Sequence, residues 1–151
     1  MAAGAVERLV NESDPDRLEE RVASNMRAMA RFFWFTIEFG LMRARSSEAH
    51  EDPLRVYGSG LLSSYGEIEH AVESSDVQRF PFQLEWVVNQ GFRIDRFQPL
   101  LFVVDSFEHL FEEVNRLETW VGEGRLDNVA PGEPVISEEE VRISLEAARS
   151  G

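Results

Sequence analysis

The chain has 151 residues, 43% of them hydrophobic, and a formal charge of −13 from 28 acids against 15 bases. That suffices for one domain with a core and excludes a disordered tail. An acidic field with no segregated basic patch excludes nucleic acid and anionic membrane as partners, and the lack of cysteine excludes disulfides, thiolate metal sites and thiol nucleophiles.

No apolar run reaches the roughly 20 residues of a membrane span, and residues 1–10 lack a signal-peptide pattern. The expectation is a cytoplasmic protein. The first element opens at Asp14-Pro15, an N-cap followed by a proline at the first helical position. Leu18, Val22, Met26, Met29, Phe33, Ile37 and Leu41 then recur at steps of three and four, predicting a helix that ends within 40–43. It is amphipathic up to Arg31 and apolar almost all round from Phe32 to Met42, a stretch that calls for enclosure by other elements.

Residues 45–53 read as a polar surface loop and 55–57 as a short strand ending in Gly58-Ser59-Gly60. A helix follows from Ser63 or Ser64 to about Val72, with Ser64-Tyr65-Gly66-Glu67 in the form of a capping box. A short helix is expected over 81–88. Residues 92–97 alternate apolar and polar and predict a strand, and 100–104 a second, more buried one. Asp105-Ser106 caps an amphipathic helix carrying Phe107, Leu110, Phe111, Val114 and Leu117. The Gly-, Pro- and acid-rich stretch 122–134 reads as a loop or tether, and Ser137 caps a last short helix. The expected fold is mainly α with a small β component (α+β). It divides into an N-terminal lead (1–13), a main body (14–121) and an acidic C-terminal extension (122–151).

Glu38 demands an explanation. Trp34, Phe35 and Leu41 lie three or four residues away on its side of the predicted helix. A carboxylate buried there unpaired would cost several kcal/mol, so it must be protonated, paired with a cation or bound to a metal. From the residues alone, an arginine partner and a metal both remain open. The segment Tyr57-Gly58-Ser59-Gly60-Leu61-Leu62-Ser63-Ser64-Tyr65-Gly66-Glu67 has glycines for close backbone approach and serines at a helix start, but lacks the lysine and spacing of a phosphate loop. Its plain reading is a tight turn with a cap. His50, His70 and His109 are too far apart in sequence to form a paired ligand motif, and each reads as a surface or half-buried side chain.

Phe33-Trp34-Phe35-Thr36-Ile37-Glu38-Phe39-Gly40-Leu41, the Tyr57 to Glu67 segment, and Phe97-Gln98-Pro99-Leu100 with Asp105-Ser106-Phe107 together resemble the pterin-dependent aromatic amino acid hydroxylases. The likeness spans Leu18 to Leu117 and corresponds to the second half of that family's catalytic domain. It implies a partial hydroxylase fold and mononuclear non-haem Fe(II), with tetrahydropterin and dioxygen used to hydroxylate an aromatic ring. By resemblance Glu38 is the carboxylate of a two-histidine, one-carboxylate iron triad. Trp34, Phe39, Gly60, Ser63, Ser64, Glu67 and Ile94 belong to the substrate pocket and its surroundings. Ser63 matches a serine that supports an iron-ligating histidine, and Ala30 and Phe33 fall where the helix approaches the pterin. Trp34 and Ile94 favour the phenylalanine 4-monooxygenase subtype, with L-phenylalanine or a similar aromatic amino acid as substrate.

The family's His-Asp-x-x-x-Gly-His segment is missing, and no histidine precedes Glu38. The expectation is therefore a C-terminal hydroxylase portion, inactive alone, with an upstream half of the enzyme as partner. The alternatives are a standalone non-catalytic module that binds an aromatic ligand or a partner protein, and an acidic helical interaction protein. An exposed apolar face on the first helix would also favour an oligomer.

Overall fold

The computed structural model describes residues 8, 9, 11–44 and 53–150. Helix α1 (Pro15–Phe33) begins where Asp14 accepts from the amides of Asp16 and Arg17, and it passes directly into a π-helical turn, Trp34–Glu38. Strands β1 (Leu41–Arg43) and β2 (Leu54–Val56) follow, then the short helix α2 (Ser59–Leu62) and helix α3 (Tyr65–Glu73). Strand β3 (Gln78–Pro81), α4 (Leu84–Asn89), β4 (Leu100–Val104), α5 (Phe107–Glu123) and α6 (Glu138–Ser150) complete the chain. Among the described residues no helix is long and apolar enough to cross a membrane. The fold is α+β, mainly helical, as its patterning implies.

The sheet order is β2-β1-β4-β3, antiparallel between β1 and β2 and parallel on both sides of β4. Strand β4 therefore has neighbours along both edges and helices over both faces, which is why it is a continuous apolar run. Its alternation divides the interior. Phe102 and Val104 enter a core with Phe32, Phe35, Val87, Leu117 and Trp120, whereas Leu101 and Val103 enter a second with Phe39, Leu41, Leu61 and Ala71.

Two expectations are corrected. Residues 92–97 form no strand: Arg93 and Arg96 pair locally with Asp95. The buried Gln98 donates its side-chain amide to the carbonyls of Arg93 and Arg96, taking the place of a partner strand. β4 has no free edge to offer this segment, and a bent loop results. The first helix also buries a different face from the apolar stripe. Ser24, Asn25, Ala28, Arg31 and Phe32 point inward, while Phe33 and Ile37 are 50% and 47% exposed.

The polar residues on that inner face are satisfied by the segment after α5. Gly124, with φ at 77°, ends α5 in a left-handed cap. The chain then buries Leu126 and Val129. Ser24 donates to the Leu126 carbonyl at 2.7 Å and accepts from the Val129 amide at 2.9 Å. Asp127 gathers Arg8, Arg21 and Asn25. Arg31 is fully buried and donates to four backbone carbonyls, those of Val88, Ala130, Pro131 and Glu133. Burial, and secondarily the charge of Arg27, pull its pKa below the ordinary arginine range. The stretch expected as a loop or tether is thus irregular but firmly packed.

At the start of α6, Glu140 accepts from both the amide and the hydroxyl of Ser137, while Ser137 accepts from the Glu140 amide, a complete capping box. Those bonds hold the Glu140 carboxyl below the usual glutamate range. A depressed folded-state pKa contributes stability above the unfolded value that is lost as pH falls through the depressed one. Ser137→Ala should therefore reduce α6 helicity at neutral pH and flatten its acid dependence, as circular dichroism between pH 7 and 3 would register.

Candidate functional site

The site is built where α1 stops being an α-helix. Thr36 donates its hydroxyl back to the Phe32 carbonyl at 2.6 Å, a bond that loosens the helical ladder. The Phe39 amide reaches the Trp34 carbonyl at 2.8 Å, five residues back. Such π-turns recur at functional positions. Here it carries Glu38, half-buried, and Phe39, buried.

The Tyr57–Leu62 segment lies directly on this turn. The Gly40 carbonyl accepts from the amides of both Tyr57 and Gly58 at 3.1 Å, and Ser59 donates to the Ile37 carbonyl at 3.2 Å. A Cβ on Gly58 would come 2.4 Å from the Glu38 carbonyl oxygen, and one on Gly40 2.2 Å from both the Thr36 carbonyl and the Tyr57 ring. A Cβ on Gly60 would stand 3.0 Å from the Glu38 carboxylate. At Gly58 backbone meets backbone, while at Gly40 and Gly60 a side chain closes in as well.

Glu38 is thus less enclosed than its sequence neighbourhood suggests. The turn tips its carboxylate toward Gly60, and among the described residues it has neither an ion pair nor a hydrogen bond. The arginine-partner reading finds no support there. Beside it stands an aromatic wall. Trp34 stacks on Phe92 with centroids 4.2 Å apart and planes 6° apart, and lies 4.5 Å from Phe39. The indole N–H of Trp34 is buried without a hydrogen-bond partner, as is the Tyr57 hydroxyl. Burial pushes the Tyr57 phenol well above the ordinary tyrosine range.

Ser63 donates to the Gly60 carbonyl at 2.6 Å, closing the α2 turn. Ser64 caps α3, accepting from the Glu67 amide at 3.4 Å. Its own amide goes to the Leu61 carbonyl, so the capping box predicted there is half formed. Gly60 and Ser63 thus belong to the α2 turn and Ser64 and Glu67 to the start of α3, and of the four Gly60 is the one set against Glu38. Ile94 is 81% exposed on the 91–99 loop. Ala30 and Phe33 sit one helical turn apart near the end of α1.

Of the histidines, His70 faces the Gln98 carbonyl at 3.2 Å, and His109 accepts the Asp105 amide through Nδ1 at 3.2 Å. His50 lies outside the described residues. Among the described residues no group of three or more His, Asp or Glu side chains could hold a metal. Glu38 alone is one donor, so iron does not fit this residue set by itself. Sequence reasoning missed Phe92, assigned to a strand, whereas the close backbone approach read into the glycines of the Tyr57 to Glu67 segment is found at Gly58. The aromatic residue just after Gly91 was the available signal for Phe92.

An α+β body with a carboxylate on a π-turn, a glycine-rich turn against it and an aromatic wall beside it is a recognisable arrangement. The chain belongs to the biopterin-dependent aromatic amino acid hydroxylase family, whose model matches residues 21–122. It is 35% identical over 117 residues to the phenylalanine-4-hydroxylase of Chromobacterium violaceum, covering 72% of this chain and 37% of that protein. With the Ralstonia nicotianae phenylalanine-4-hydroxylase it shares 40% identity over 84 residues, 56% of this chain and 25% of the relative. The iron- and phenylalanine-bound structure of the C. violaceum enzyme superposes with a TM-score of 0.60 at 29% identity, over 82% of this chain and 47% of that one. The chain therefore spans well under half the length of these two curated relatives.

Proposed function

We propose that this chain is the C-terminal portion of a non-haem iron(II), tetrahydropterin-dependent monooxygenase that converts phenylalanine to tyrosine. Glu38 is its carboxylate iron ligand, and the imidazole ligands come from outside these 151 residues. The observation that carries this reading is the Glu38 carboxylate, unpaired among the described residues and held against Gly60. A half-buried carboxylate with no protein partner is available to take a cation. Reduced pterin and iron together supply the dioxygen chemistry in such enzymes.

This chain's own contribution is positional. Trp34, Phe39 and Phe92 form an aromatic stack that adds apolar surface suited to an aromatic ring. Gly60, Ser63, Ser64, Glu67 and Ile94 complete the substrate side, and Ala30 and Phe33 face the pterin. Gly60→Ala should displace the carboxylate more than it destabilises the fold, lowering iron affinity of the assembled protein at least tenfold with a melting shift of only a few degrees.

The test is to combine the chain with a polypeptide carrying a His-Asp-x-x-x-Gly-His segment and measure tyrosine formed from phenylalanine with iron and reduced pterin. Turnover that needs both parts and Glu38 is the expected result. A folded, stable complex without turnover would count against it.

The half-exposed Phe33 and Ile37, with Phe107 and Phe111 at 55% and 68% exposure, support a body that packs against more protein. The isolated chain should accordingly bind a hydrophobic dye or self-associate. A dye-silent monomer would instead favour the alternative, a self-contained module that binds an aromatic ligand or a partner protein.

A further inference from the structure

Trp34 has no polar anchor. Its indole N–H is buried and unbonded, so the ring is placed by packing alone: its stack with Phe92, its contact with Phe39 and the two cores it borders. What holds Phe92, which also packs on Phe35, is therefore one determinant of where the wall stands. The segment just before it, Val88 to Gly91, is bonded to Arg31 at its first residue and lies against the Arg31-bound Glu133 carbonyl at its last. Arg31 donates to the Val88 carbonyl at 3.0 Å and, through Nε, to the Glu133 carbonyl at 3.0 Å. That same Glu133 oxygen lies 3.4 Å from where a Cβ of Gly91 would stand. Between them, the Asn89 side chain accepts the Ala130 amide at 2.7 Å.

Four carbonyls and, among the described residues, no carboxylate bond to Arg31. A guanidinium with five fixed donors imposes a particular curvature on the backbone that satisfies it, and here that backbone is the 130–133 strap together with the end of α4.

We infer that Arg31 is a positioning residue, acting through the 130–133 strap and the 88–91 segment to fix Phe92 against Trp34 beside Glu38. The C-terminal extension is on this view part of the site's support. The inference rests on the proposed function for what the wall is used for, but the placement of Phe92 is testable without metal, pterin or turnover.

The experiment labels the full chain with 5-fluorotryptophan and reads Trp34, Trp86 and Trp120 by fluorine NMR, assigned through single Trp→Phe variants. Two variants disturb the linkage from opposite sides. Arg31→Lys removes the planar fork, and Asn89→Ala removes the side-chain acceptor of the Ala130 amide while leaving Arg31 intact. The expected result is a Trp34 resonance displaced by more than its linewidth in each folded variant, with Trp86, which packs on Phe80, unmoved. A clasp that merely held the extension down would move Trp120, which lies under Arg125, and leave Trp34 in place. That pattern in either folded variant overturns the inference, and if Arg31→Lys does not fold, Asn89→Ala decides it. Neither outcome bears on whether Glu38 binds iron.

Discussion

Gly58→Ala is expected to destabilise the chain by about 2–4 kcal/mol, because the new methyl has nowhere to go. Its Cβ would sit 2.4 Å from the Glu38 carbonyl oxygen and 2.5 Å from the Gly40 amide nitrogen. Both are backbone atoms, and neither can swing aside as a side-chain tip would. The α2 turn must lift off the π-turn, breaking the bonds from Tyr57 and Gly58 to Gly40 and from Ser59 to Ile37. Urea unfolding should show the lowered midpoint. Gly66→Ala is the control: its Cβ would meet only the Ser64 hydroxyl, at 4.0 Å. That substitution lies in a helix, where alanine is the better residue, and should be neutral or stabilising.

The second large effect belongs to Arg31→Ala, with an expected loss of about 3–5 kcal/mol from a total that in domains of this kind is about 5–15. The substitution removes a fully buried side chain and leaves a cavity. It also leaves the carbonyls of Val88, Ala130, Pro131 and Glu133 without their donor. Each buried acceptor left unmade carries its own desolvation cost. Arg31→Lys should recover part of the loss, since one ammonium reaches some but not all of these oxygens. Thermal melts of the three proteins, run side by side, give the order wild type, Lys, Ala. An alanine variant as stable as the parent would mean the strap is held by Leu126, Val129 and the Asn89–Ala130 bond without Arg31.

These two residues mark where the sequence was and was not legible. β4, α3, α5 and α6 could be read from local pattern, because each combines a cap or an apolar run with a face that meets the core. β1 and β3 could not, being only three and four residues long and existing chiefly because β4 offers them edges. The inward face of α1 was misread for a related reason. Ser24, Asn25 and Arg31 look like solvent residues until their partners, more than ninety residues away, are brought beside them. Hydrophobic periodicity cannot register a buried polar face that is satisfied by distant backbone.

The same holds at the site. Glu38, Trp34 and Phe39 stood out as neighbours in one motif, and the glycine-rich segment stood out as another. That the two lie against each other follows from β1 and β2 pairing Leu41 with Val56, a long-range fact. The π-turn has a local cause in Thr36, but a threonine inside an apolar helix more often bonds back without such a consequence. Phe92 joined the wall only because the 91–99 loop bends away from the strand its alternation suggested.

The central claim is that Glu38 is a metal ligand, and iron(II) binding to the assembled protein tests it most directly. Calorimetric titration of the chain combined with a polypeptide carrying a His-Asp-x-x-x-Gly-His segment should give one iron per complex. Glu38→Gln, nearly the same shape without the charge, should weaken binding by about 100-fold or more, beyond the 10–100-fold that supporting residues around a metal contribute. Equal affinity in the folded Glu38→Gln complex would contradict the account.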